Sequence, residues 1–489
     1  MASGAFARVA RRSRALAAGA GWASSAILGM LKLRAGRHRP DFMGFDAANK
    51  RSGLQTGRQT VCSVPRVWMR RLRISHLLAL SVTAAGGCKN APLEASPSVT
   101  PVRDASVLPD TAAADAPGAG GVWKVGDAPP RDGDVLASTQ MQIVERLAQL
   151  LWNATSSPAL ASLAAVAASP ASSLAKGTIT RADARTFAEI MVSDPIALPV
   201  VGSFFRWWLN TPRALTMQKS AAIFRELGVL DDRLRTALEL EPELFGAEMI
   251  VNQGGTLDTL LSSARYTFVN DRLASLYGIP GVTGSEMQQV STDGLGRSGL
   301  LSLAGYIAPR GGFDRRWPSQ IGVEVDADLF CLRIPREPEA MQQQTPDPKA
   351  SMRALAIASA SQPVCQACHR FVDPIGFGFG GFDALGRPQT MDGPDPVDDS
   401  GVIDAVDPPE LFRGVAQLGA LAASSETARR CHVTRWLQFF THPEISADDA
   451  LGRDVDAESF AQSYAAFVNS GYNLRALVAA IATSPSLLP

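Results

Sequence analysis

Apolar residues recur along much of this chain at intervals of three and four, the spacing that gathers them on one face of an α-helix. Met141, Val144, Leu147, Ala148 and Leu151 follow Thr139 and Gln142, a pair at capping-box spacing, and predict a helix. Thr180 and Asp183 repeat the device ahead of Phe187, Ile190 and Met191. Val269, Leu273, Leu276 and Tyr277 share a face, and Gly278 followed by Pro280 should end that helix by C-cap chemistry. Toward the C-terminus three further stripes appear: Val433, Trp436, Leu437 and Phe440; Phe460, Tyr464, Phe467 and Val468; Leu474, Leu477, Val478 and Ile481. No alternation of period two is sustained, so strands are not expected, and no internal repeat is visible.

Two stretches break the helical pattern. Residues 89–136 are rich in Pro, Ala, Asp, Ser and Gly. Such a composition buries too little apolar area to offset the entropy of ordering, and it reads as a disordered tether. From 281 to about 350, Gly, Pro and Arg are scattered through Arg297-Ser-Gly-Leu-Leu301, Arg310-Gly-Gly-Phe313 and Pro335-Arg-Glu-Pro338, which reads as loops between short helices. The expected fold is mainly α: a helical domain over 137–280 packed on a loop-rich helical domain over 281–489.

Charge changes the picture at the N-terminus. The 489 residues balance 47 basic against 47 acidic side chains, yet residues 1–68 hold 12 Lys/Arg against 2 Asp/Glu. Residues 89–489 hold 32 against 45. An acidic body repels phosphate backbones, so nucleic acid is not an expected partner.

The segment 69–88 explains part of the imbalance. Met69-Arg-Arg-Leu-Arg73, an apolar run from Ile74 to Ala85, and Gly86-Gly87-Cys88 read as a lipoprotein signal peptide, with Cys88 the lipidated residue. The run is about a dozen residues, too short for a bilayer of roughly 30 Å. Ala85 departs from the usual pattern, which has Leu three residues before the cysteine. A signal peptide works at an N-terminus, so translation is expected to begin at Met69, leaving 1–68 as a mis-assigned extension; a basic presequence is the competing reading. Export would anchor the chain to a membrane by its lipid, facing an oxidising periplasm or the cell exterior.

The chemistry is concentrated in Cys365-Gln-Ala-Cys-His369. In c-type haem attachment two thiols one helical turn apart add to the haem vinyl groups, and the adjacent imidazole ligates the iron. With six Cys and five His in the chain, composition alone does not explain the motif. A redox dithiol is the first rival, but no βαβ pattern surrounds it. Zinc is the second, though adjacent Cys368 and His369 reach one tetrahedral ion poorly. A structural disulfide between Cys365 and Cys368 is the third.

Setting aside Cys88, the motif and Cys62 in the suspect extension, Cys331 and Cys431 remain, and in an oxidising compartment they are expected to bond. Met391, His432 and His442 are candidates for a sixth iron ligand, each with an ordinary surface or core role as the alternative. An open iron site would favour binding or peroxide chemistry. Asp392, Asp395, Asp398 and Asp399 suggest calcium, but the spacing misses the EF-hand pattern and two prolines favour an acidic turn. Trp207 and Trp208 suggest a carbohydrate platform, but a helix buried on two sides explains them better. There is neither a phosphate-binding glycine loop nor a nucleophile elbow, and no catalytic residue can be named.

Three stretches together resemble a family of secreted bacterial proteins built of consecutive domains of unknown function, of planctomycete, cytochrome-c-like type. They are Tyr266-Thr-Phe-Val-Asn-Asp-Arg-Leu-Ala-Ser-Leu-Tyr-Gly278, Arg297-Ser-Gly-Leu-Leu301 leading to Leu329-Phe-Cys331, and Cys365 to Phe377 continuing through Phe382-Asp-Ala-Leu-Gly-Arg387. The likeness extends over about 185–489. It implies a cytochrome-c-like second domain, a haem-linked or electron-transfer role, and cysteines at the positions of Cys331 and Cys431. Val372 stands where the family usually has Met, and Trp317-Pro-Ser-Gln-Ile-Gly322 replaces its usual basic segment. The expected function is thus an exported lipoprotein with covalent haem c passing electrons to an unknown redox partner. The alternative is a haem-free, polysaccharide-associated surface protein stapled by disulfides; if the chain is an enzyme, a haem-dependent oxidoreductase is expected.

Overall fold

The stripes become helices in the computed structural model, which describes residues 179–221, 230–334, 349–406 and 408–489, residue 347 and most of 133–153. The extension 1–68, the signal segment with Cys88, nearly all of the tether 89–136 and the capping residue Thr139 lie outside the described residues. In chain order the helices are α1 (Gln140–Trp152), α2 (Arg181–Val192), α3 (Leu198–Trp208), α4 (Asp232–Val251), α5 (Asp271–Tyr277), α6 (Ala304–Arg310) and α7 (Pro318–Phe330). They continue as α8 (Met352–Ala360), α9 (Pro363–Phe377), α10 (Gly414–Ser424), α11 (Glu426–Thr441), α12 (Ala457–Asn469) and α13 (Leu474–Ala482). The fold is mainly helical, and all described residues belong to one compact unit.

Local chemistry sets the helix ends. At α2 the Thr180 hydroxyl accepts from the Asp183 N–H while the Thr180 N–H donates to the Asp183 carboxylate at 3.0 Å, the reciprocal box that satisfies two orphan donors. Asn270 caps α5 by accepting from the backbone of Arg272 and Leu273, and Gly278 ends it at φ 71°, a conformation that costs a residue without Cβ nothing. The buried stripes are narrower than the sequence suggests. Val144, Leu147 and Leu151 are buried in α1 and Phe187 and Met191 in α2, but Met141 and Ile190 are exposed.

Strands do occur. β1 (Tyr266–Val269) pairs antiparallel with β2 (Gln288–Ser291), β3 (Met391–Asp392) with β4 (Asp395–Pro396), and β5 (Ser400–Ile403) with β6 (Glu410–Arg413). Val269 ends β1 opposite Gln288 rather than opening α5. Each ribbon is at most four residues long, so its alternation is too brief to register as a sequence signal.

The main hydrophobic cluster draws on helices from both ends of the chain. Phe204 of α3 stacks on Trp436 of α11 with ring centroids 3.5 Å apart. Trp208 is buried and donates its indole N–H to the Asp328 carbonyl at 3.0 Å, while half-buried Trp207 donates to that of Ile445. These tryptophans serve the core. A buried ion pair crosses the same region: Arg310 meets Asp328 at 2.6 Å and lies 3.9 Å over the Tyr306 ring. Among the described residues no single helix is long and apolar enough to cross a membrane.

Candidate functional site

Helix α9 carries the Cys-x-x-Cys-His sequence. Pro363 occupies its first turn, where the missing N–H is no loss, and the motif follows immediately. Pro374 lies further along and has no N–H to give to the Arg370 carbonyl, so the ladder is interrupted just beyond His369. In helical projection Val364, Cys368 and Phe371 form one stripe, with Cys365 and His369 beside it. Val364 is 68% exposed and Phe371 40% exposed, and Cys368 faces solvent next to half-buried Cys365. The N-terminal half of α9 thus offers two free thiols on an apolar, uncovered surface.

The C-terminal half is fixed by α7. A Cβ on Gly376 would lie 1.9 Å from the Pro318 carbonyl oxygen, and one on Gly322 would lie 2.0 Å from that of Val372. Two glycines, one on each helix, therefore let the backbones touch. This contact brings Ser319 of α7 to His369, with the hydroxyl 3.3 Å from Nδ1. Asp373, one turn beyond His369, places Oδ2 2.9 Å from the same nitrogen. Its side chain is 4% exposed, and Oδ1 has no hydrogen-bond partner.

This arrangement suits a haem iron. With the Nδ1 proton held by Asp373, the lone pair of Nε2 is free for a metal, and the partner fixes tautomer and ring orientation. The thiols are unpaired, as thioether formation requires. Cys331 and Cys431 are bonded to each other, at a Cα separation of 5.4 Å. They take no part in the motif's chemistry.

The candidate sixth ligands occupy three different settings. Met391 is 48% exposed in β3. His442 caps the end of α11, half-exposed, with Nδ1 3.7 Å from Glu444. His432 is buried in the aromatic cluster, where Nε2 accepts from the Trp436 indole N–H at 3.2 Å and burial pushes its pKa down to about 3. Its Nδ1 has no partner, and the residue lines a void of about 10 Å³, room for roughly one water. Among the described residues no hydrogen bond or ion pair joins any of the three to His369.

Three of the four aspartates of 392–399 are engaged by Arg353 or Arg413. Asp392 accepts from the Arg353 backbone, Asp398 pairs with the Arg353 guanidinium at 3.3 Å, and Asp399 lies 3.4 Å from Arg413. Among the described residues no group of three or more His, Cys, Asp or Glu side chains is placed to hold a metal ion by itself.

Sequence reading missed Asp373 and Ser319. Asp373 carried a signal, since a carboxylate four residues after a histidine shares its helix face. Ser319 carried none, being fifty residues away and brought in only by the glycine contact.

A mainly helical, disulfide-closed body displaying an unpaired Cys-x-x-Cys-His helix is the class these features define. Within it, residues 139–279 match the family PSD4, a protein of unknown function (DUF1592), and residues 297–392 match PSCyt3, a protein of unknown function (DUF1588). These are two consecutive domains of unknown function, as in the planctomycete-type, cytochrome-like family that the sequence resembles. No curated protein matches the chain, and neither does any solved structure.

Proposed function

We propose that this chain is an exported, lipid-anchored c-type haem protein that transfers electrons in the periplasm or at the cell surface. The observation that carries the reading is the division of labour among the cysteines. Two are bonded to each other, while the two that precede His369 are free and one helical turn apart on α9, Cys368 exposed and Cys365 half-buried. Each thiol would add its S–H across a vinyl double bond, sulfur to one carbon and hydrogen to the other, without any oxidant. Val364 and Phe371 provide apolar surface beside them, and His369 offers Nε2. Haem bound there would supply a one-electron centre, cycling between ferric and ferrous iron. Lipidation at Cys88 would keep that centre at a membrane surface.

The test is the pyridine haemochrome spectrum of the chain made in a host with c-type haem maturation machinery, beside a Cys365→Ala/Cys368→Ala variant. Haem that resists acid-acetone extraction in the wild type and is lost in the variant is the expected result. A colourless wild type would overturn it and leave the haem-free surface protein, in which cysteines only staple loops.

A further inference from the structure

Asp373 does more at this site than share a helix face with His369. Its carboxylate is almost wholly buried, one oxygen has no partner, and among the described residues its only ionic contact is the His369 imidazole. A carboxylate so placed pulls strongly on the Nδ1 proton, because in a poorly solvated setting that hydrogen bond is its main compensation. Pulling on Nδ1–H raises electron density at Nε2. A more basic nitrogen, with a fixed negative charge one imidazole away, favours the more positive oxidation state of a metal.

We propose that Asp373 is a positioning residue that acts through His369: it locks the imidazole with Nδ1 protonated and Nε2 bare, and it holds the haem iron at low reduction potential. The inference rests on the haem reading above and deepens it. Its consequence is that this centre gives up its electron readily, so the partner on the receiving side has a higher potential. Ser319, at 3.3 Å, steadies the ring from α7 without carrying charge.

The experiment is a spectroelectrochemical titration of the full haem-loaded chain as wild type, Asp373→Asn, Asp373→Glu and Ser319→Ala. Removing the charge in Asp373→Asn should stabilise the ferrous form at least tenfold, an upward shift of about 59 mV for one electron. Asp373→Glu should recover most of the wild-type value, and Ser319→Ala should move it less than twofold. A haem-loaded Asp373→Asn within twofold of wild type overturns the proposal while leaving covalent haem established.

A second measurement is independent of haem and of whether Asp373→Asn folds. In the unloaded Cys365→Ala/Cys368→Ala chain, nitrogen NMR of neutral His369 should find the proton on Nδ1. A proton on Nε2 would sink the proposal. Absence of haem in the wild type defeats the functional reading, whereas this tautomer, compared with that of the same chain carrying Ser319→Ala, reports on Asp373 without haem.

Discussion

The bond between Cys331 and Cys431 closes a loop of sequence separation 100 that contains the whole of α9. Cys331 sits in the left-handed conformation at the end of α7, φ 55°, and Cys431 in the first half of α11, buried. A cross-link of that span removes chain entropy from the unfolded state. In the chain-entropy model it is worth about 4–5 kcal/mol. Cys431→Ser, or reduction of the wild type, should lower unfolding free energy by roughly that amount in guanidinium titrations. An unchanged midpoint would mean that the bond constrains nothing.

The contact between α7 and α9 makes a sharper demand. Gly376→Ala and Gly322→Ala each place a methyl within about 2 Å of a backbone oxygen on the facing helix, and neither oxygen can swing away as a side chain could. Overpacking of this kind typically costs about 1–3 kcal/mol, and here the backbone itself must move. Thermal denaturation should show a loss at or above the top of that range for both. The Gly376 variant should also lose the His369–Ser319 contact, read from the His369 ring resonances.

Arg310 and Asp328 form a pair that is nearly all buried. Asp328→Ala leaves the buried guanidinium with only the more distant Glu324, at 3.9 Å, and should destabilise the protein by about 3–5 kcal/mol. Replacing both residues by Met and Leu should recover most of that loss. A double variant no better than the single would show that the pair's hydrogen bonds to Leu209 and Tyr306, rather than its charges, carry the stability.

Asp326 sets a pH dependence. The side chain is buried on the same face of α7 as Ser319 and Gly322, Oδ2 has no partner, and burial pushes its carboxyl up to about 7. The unfolded chain ionises near the ordinary carboxylate value, so this group's contribution to stability is full below about pH 4 and is lost as pH rises toward 7. Asp326→Asn should therefore match the wild type near pH 4 and exceed it at about pH 8, by on the order of 4 kcal/mol at most. Parallel unfolding curves at the two pH values check this; a variant less stable at pH 8 would mean that the ionised carboxylate has a use.

Sequence and structure agree where the signal is local. The capping box at Thr180 and the glycine stop at Gly278 were legible because both need only residues within one turn. The bond between Cys331 and Cys431 was legible for a different reason, since the other cysteines already had roles. What could not be read depends on distant partners. Glu239, Glu241 and Glu243 are of a type that ordinarily faces water, yet all three are buried. Glu241 is fed by Thr267, Tyr277 and the Gly305 N–H, donors that lie 26 to 64 residues downstream. The stretch Trp317 to Gly322 forms the cap and first turns of α7 and supplies Ser319.

The stacked rings of Phe204 and Trp436 have a bearing on where the chain can be divided. One ring precedes the end of the PSD4 match at residue 279, and the other follows the end of the PSCyt3 match at 392. The boundary at residue 279 is therefore not one that the core respects: a cut at residue 280 would leave each piece with half an aromatic sandwich facing water. Neither matched segment holds Trp436, so even the two together, as residues 139–392, would leave Phe204 without the ring it stacks on.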